Sequence, residues 1–282
     1  MKNKALFYGS SFTWGNGLWI FDFDGYHKKY FDDPNWDWRN LLLPRSDIYE
    51  SDMDIPIPGL HSGFVNESAR EFMYKNRWST LVTDYYGMEE INRAEAGGFI
   101  SETVMMMSGL ESSSPEFYRD FQRYVNWEDI GLLSIEFYGV ARLSGMTPTE
   151  IENFIDNSDD EHATEVLKNW VINFDYDFQI KTQLQKLEEQ LEKISKFNIP
   201  TVIHFWQKDD IRKMRNLISD YPLIDKYTMN KDVAILDWAN GRYKIHDEHP
   251  YYNKSIGKED EHLGVRGHRK LSERIINYLG KI

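Results

Sequence analysis

The chain contains no cysteine. Disulfide scaffolds, cysteine–zinc sites, iron–sulfur clusters and cysteine nucleophiles are therefore excluded. Positive charge is scarce as well. Lys and Arg number 33 against 46 Asp and Glu, for a formal net charge of −13. That balance argues against coating nucleic acid or an anionic membrane, because phosphate binding runs on clustered Lys and Arg. No apolar stretch approaches the length of a membrane span. Ala5-Leu6-Phe7-Tyr8 is too short for the apolar region of a leader peptide, and Gly9-Ser10-Ser11 follows at once. Cofactor signatures are missing too. Gly15-Asn16-Gly17 is not followed by the third glycine of a dinucleotide fingerprint, since Ile20 stands there. No phosphate-binding Gly-x4-Gly-Lys-Ser/Thr occurs, so no cofactor is expected. Internal repeats and low-complexity tracts are also absent.

What is there suits a folded α/β protein. A length of 282 residues accommodates one large domain or two small ones with a sizeable core. Aromatic residues make up 15%, with 9 Trp and 17 Tyr, which argues against disorder and for aromatic-lined surfaces. Five short apolar runs read as strands: Ala5–Tyr8, Glu89–Asn92, Gly131–Phe137, Thr201–Phe205 and Val233–Asp237. Helical patterns separate them, which predicts crossover units and a parallel sheet. Ile180, Leu184, Leu187, Leu191 and Ile194 recur at steps of four and three, ended by Phe197-Asn198-Ile199-Pro200. A coiled coil would need a longer stripe, so a helix packed on the sheet is the preferred reading. A last helix is expected over 268–279, where Leu271, Ile275 and Leu279 share a face. Residues 18–76, rich in Trp, Tyr and Phe, read as a long insertion after the first strand within a single domain spanning 1–282. Residues 239–261 read as a polar loop.

Three segments carry candidate chemistry. Gly9-Ser10-Ser11-Phe12-Thr13-Trp14-Gly15 follows the first strand, where a hydroxyl can stand at the tip of an open sheet. A Ser-rich turn capping a helix is the plainer alternative. Asn92-Arg93-Ala94-Glu95-Ala96-Gly97-Gly98 follows the second strand. Its paired glycines let backbone amides approach a ligand and donate to a developing oxyanion, or they make an ordinary strand-to-helix turn. Glu259-Asp260-Glu261-His262 precedes the last helix, and an acid two or three residues before a His can hold that ring in its tautomer. A solvated loop histidine is the alternative.

Taken together, in this order and spacing, the three segments resemble the SGNH/GDSL hydrolase family. Gly9-Ser10-Ser11 is similar to its Gly-Asp-Ser block, Asn92–Gly98 to its second block, and Asp260, His262, Gly267 and His268 to its last block. The resemblance implies a flavodoxin-like three-layer α/β/α sandwich with a five-stranded parallel sheet of order 2-1-3-4-5. It implies Ser11 as nucleophile, His262 as base and Asp260 as the acid that orients the imidazole. The amides of Ser11 and Gly97, with Gly98 beside it, would face the oxyanion. The expected partner is a small-molecule or carbohydrate ester, with stacked aromatics of 18–76 as a sugar cleft or, equally, as a subdomain core. Virus-encoded chains occur in the superfamily. The location is left unknown, and with no leader peptide or membrane span in the sequence a cytoplasmic or virion-associated one is the expectation.

The sequence departs from the family in two places. Ser10 replaces the Asp of the first block, which leaves the bonding of that loop open. The third block normally supplies an Asn donor, whereas the third strand here runs into Glu136-Phe137-Tyr138-Gly139-Val140-Ala141-Arg142. Tyr138 and Arg142 are the candidate replacements. Glu259 competes with Asp260 as the acid, and Asp260 is preferred. Asp247-Glu248-His249-Pro250 is a decoy for the last block, because it lacks the following Gly and helix. A metal site built on His246, Asp247 and His249 lacks a further clustered ligand. His204 in an apolar strand reads as a satisfied core histidine, and Met105-Met106-Met107 as core packing.

Overall fold

The computed structural model describes residues 2–10, 13, 15, 18–22, 67–94, 100–108, 125–137, 155, 164–165, 167–169, 175–206, 215–231, 233–248 and 262–281. Four strands form one all-parallel sheet of order β2-β1-β3-β4: β1 Lys4–Tyr8, β2 Glu89–Asn92, β3 Ile130–Phe137 and β4 Thr201–Phe205. The register pairs Phe7 with both Asn92 and Ser134, and Glu136 with His204. β3 is buried along its whole length, as a central parallel strand covered on both faces must be.

The period of two along each strand divides the core. Leu6, Tyr8, Leu133, Ile135, Phe137, Ile203 and Phe205 point to one face. There they meet Val104 and Met107 of α3 (Ile100–Ser108), the Ile180–Ile194 stripe of α4 (Tyr176–Ser195) and Ile224 of α5 (Pro222–Tyr227). The helix with the four-and-three stripe therefore packs on the sheet, as its short stripe suggested. Ala5, Phe7, Leu132, Val202 and Trp206 point the other way. They meet Trp78 and Val82 of α2 (Trp78–Tyr86), Ile235 and Ala239 of α6 (Ile235–Ala239), and Leu271 and Ile275 of α8 (Val265–Leu279). α1 (Glu67–Asn76) leads into α2, and a 3-10 turn covers Leu18–Phe21.

Local chemistry sets the helix ends. Asp175 caps α4, its carboxylate accepting from the Phe178 amide at 2.9 Å. The same helix stops where Asn198 turns left-handed (φ 50°) ahead of Pro200. Glu188 on α4 accepts the Leu223 and Ile224 amides, at 2.8 and 2.9 Å, and so caps α5 across the packing interface.

Two expectations are corrected. Val233–Asp237 is not a strand, because Ile235–Ala239 is helical and follows Ala234 in extended backbone. Ile235 is buried from this short helix against the second face, and periodicity alone does not distinguish so short a helix from a buried strand. Among the described residues, Ile203 of β4 makes an isolated parallel bridge to Thr228, with the Met229 amide bonded to the Ile203 carbonyl at 2.8 Å. The loop expected over 239–261 contains a short helix, α7 (Ile245–Glu248). The greater part of the aromatic insertion, residues 23–66, lies outside the described residues, as does the loop 249–261.

Candidate functional site

The site is built around the carboxyl tip of β1. Ser10 and Thr13 are buried there, and both hydroxyls donate to the carboxylate of Glu136, which rises from the end of β3. The Ser10 amide also points at Glu136 Oε2, at 3.5 Å. Glu136 is only 1% exposed. Burial pushes its carboxyl above the usual carboxylate range, and the hydroxyls and amides of Ser10 and Thr13 oppose that rise. Gly9 makes the arrangement possible, because a Cβ at that position would stand 2.7 Å from Glu136 Oε2.

The turn is held from the other side by β2. Asn92 Nδ2 lies 3.3 Å from the Thr13 carbonyl and 3.0 Å from Ser79 Oγ, while Asn92 Oδ1 accepts the Ala94 amide at 3.0 Å. Arg77, at the start of α2, pairs with Glu90 at 3.0 Å and stacks over the Tyr74 ring. Thr80 donates to the same Glu90 carboxylate at 2.6 Å. Thus both neighbours of β1 send a polar side chain to the segment that follows it.

His262 is half-buried just ahead of α8. Its carbonyl accepts the Ile245 amide at 2.8 Å, and the adjacent residues form an antiparallel bridge between Lys244 and Leu263. α8 and α2 begin side by side, since His268 Nδ1 accepts the Trp78 amide at 3.1 Å. That bond fixes the neutral tautomer of His268, whose pKa falls to about 3 through burial and then through the charges of His262 and Arg77. Arg77 in turn abuts the β1 turn, as a Cβ on Gly15 would lie 3.0 Å from its own Cβ.

α8 is anchored by Glu248. Its carboxylate accepts the amides of Arg266 and Gly267, each at 2.8 Å, at the positive end of the helix. Gly264 leaves the room, because a Cβ there would sit 2.6 Å from Glu248 Oε2. Burial pushes this carboxyl up to about 7 against the pull of those amides. The segment set aside as a decoy therefore has a structural task. Residues 243–248 clasp residues 262–267 and so tie down both ends of the loop between them.

Of the residues singled out from the sequence, His262 is among the described residues, half-buried ahead of α8. Ser11, Gly97, Gly98, Tyr138, Arg142, Glu259 and Asp260 lie outside the described residues. Sequence reasoning missed Glu136 as a site residue. Its signal was the one carboxylate in a mostly apolar strand, which burial obliges to find donors. The bonding of the first-block loop, left open by Ser10, comes from this Glu. His204 is a core residue, but not a satisfied one. Neither ring nitrogen has a hydrogen-bond partner, the ring packs edge-on to Trp78, and burial lowers its pKa to about 3.

What the fold and this edge define is an all-parallel α/β protein with a hydroxyl-bearing turn braced at the carboxyl tip of an inner strand, the crevice where open sheets of this kind place ligands. Comparison with protein-family models, with curated proteins and with solved structures returns no match.

Proposed function

We propose that the chain is a serine esterase of the SGNH class on a flavodoxin-like sheet of order 2-1-3-4-5, a reading that the isolated parallel bridge from Ile203 to Thr228 beside β4 supports. The observation that carries this reading is the segment after β1 tied to β3 and β2 at the carboxyl tip of the sheet. In this reading Ser11 Oγ attacks the acyl carbonyl while His262 takes its proton, and Asp260 holds the imidazole in its tautomer. The carbonyl electron pair moves to oxygen and is met by the amides of Ser11 and Gly97. Collapse expels the alcohol, which takes the proton from His262. Water then repeats the sequence on the acyl-enzyme and releases the acid. Gly98, next to Gly97 in sequence, and Tyr138 and Arg142 are the remaining candidates for binding the oxyanion or the substrate. An O-acylated carbohydrate is the favoured substrate class, because the insertion at 18–76 brings many Trp and Tyr close in sequence to the nucleophile.

One observation favours a second reading, a binding or structural protein on the same scaffold. The tip of β3 carries Glu136, an acceptor engaged with the turn, where the family offers an Asn donor. A fluorophosphonate probe decides between them. The esterase is labelled at Ser11, hydrolyses p-nitrophenyl acetate, and loses both properties on Ser11→Ala with its melting temperature retained. Equal turnover by wild type and Ser11→Ala would refute the assignment of the nucleophile, and an unlabelled, inert wild type would favour the binding protein.

A further inference from the structure

We infer that Glu136 is the positioning residue of the proposed nucleophile, holding the turn after β1 in its working shape, an inference that rests on the esterase reading for its catalytic half. Its carboxylate reaches out of β3 and takes the hydroxyls of Ser10 and Thr13, one on each oxygen. The two residues between them in sequence are Ser11 and Phe12. Glu136 thereby ties together two residues three apart in sequence, and all three side chains are buried from water, where such bonds are strong. Asn92 adds a third tie, from β2 to the Thr13 carbonyl, and Gly9 supplies the space into which the carboxylate fits.

The residue types fit this task. A carboxylate accepts from several donors at once and cannot itself serve as an oxyanion donor while ionised. It is too deeply buried, and too fully engaged with Ser10 and Thr13, to meet a substrate. Its effect must therefore pass through the turn. A shift of about 1 Å in a reacting group can cost about 10²-fold in rate, so a brace at this point bears on catalysis without touching the substrate.

Two near-isosteric variants test the inference, Glu136→Gln and Thr13→Val, each first shown to melt cooperatively. Amide hydrogen exchange over residues 10–13 reads the brace directly. It should speed up about tenfold or more in both variants, the loss expected for one hydrogen bond to a charged group. With p-nitrophenyl acetate, kcat and the rate of fluorophosphonate labelling at Ser11 should fall about 10²-fold in Glu136→Gln while KM stays near the wild-type value. A purely structural residue would lower the melting temperature without splitting kcat from KM. Unchanged exchange in both variants would overturn the brace. Accelerated exchange with undiminished labelling would overturn its link to the nucleophile. An unlabelled wild type would defeat the esterase reading and with it that link, while the exchange rates would still judge Glu136 as the holder of the turn.

Discussion

Lowering the pH should destabilise this protein through two buried histidines, and the replacement His204→Leu should remove a defined share of that sensitivity. His204 and His268 are each about 1% exposed, and both rings have pKa values near 3 in the folded chain against an ordinary 6.5. The unfolded chain thus binds the extra protons first as the pH falls below 6.5, and stability drains until the folded rings titrate near 3. Each pH unit in that window costs about 1.4 kcal/mol per histidine. Between about pH 6.5 and pH 5 the loss is about 2 kcal/mol per ring and about 4 kcal/mol for the two, a large part of the roughly 5–15 kcal/mol that holds a typical domain. His204 is the cleaner site, because neither nitrogen has a partner to lose. Leucine fills similar space and carries no polar atom, so at neutral pH the variant should be as stable as the wild type or more so. Urea unfolding at about pH 7 and pH 5 measures both quantities. The variant should gain about 2 kcal/mol on the wild type as the pH drops. Parallel loss of stability in the two proteins would mean that the folded His204 ring accepts a proton readily, and the reasoning from burial would fail.

Two further outcomes concern the segments around His262. If the chain is an esterase, Asp260→Asn should cost far more activity than Glu259→Gln, because the loss of a carboxylate on the imidazole releases its tautomer; the reverse ranking in kcat would give the role to Glu259. Glu248 should show the opposite pH dependence to the histidines. Its folded pKa of about 7 lies above the ordinary 4.5, so its contribution is full below about 4.5 and is lost as the pH rises through 7. The melting temperature of the wild type relative to Glu248→Gln should therefore fall between those limits, and a constant difference would show that the carboxyl keeps an ordinary pKa.

Period and punctuation in the chain determined most of the framework. Four of the five apolar runs are strands within a residue of their expected bounds, and the Ile180–Ile194 stripe is the buried face of α4. These readings succeed because strand and helix periods are local properties, written in the side chains that must face a core. Val233–Asp237 failed for the complementary reason. A short apolar run can be buried in either form, and here Ile235 packs from a helix in the cluster that holds Leu271 and Ile275 of α8. His262 was singled out because its sequence neighbours carry the signal. Glu136 was not, since Ser10 and Thr13 are more than a hundred residues away, and only the pairing of β1 with β3 brings them together. The same holds for Glu248, whose partners Arg266 and Gly267 meet it across a closed loop. A buried carboxylate announces a need for donors, but the sequence is silent on which donors arrive, because that is set by strand order and register.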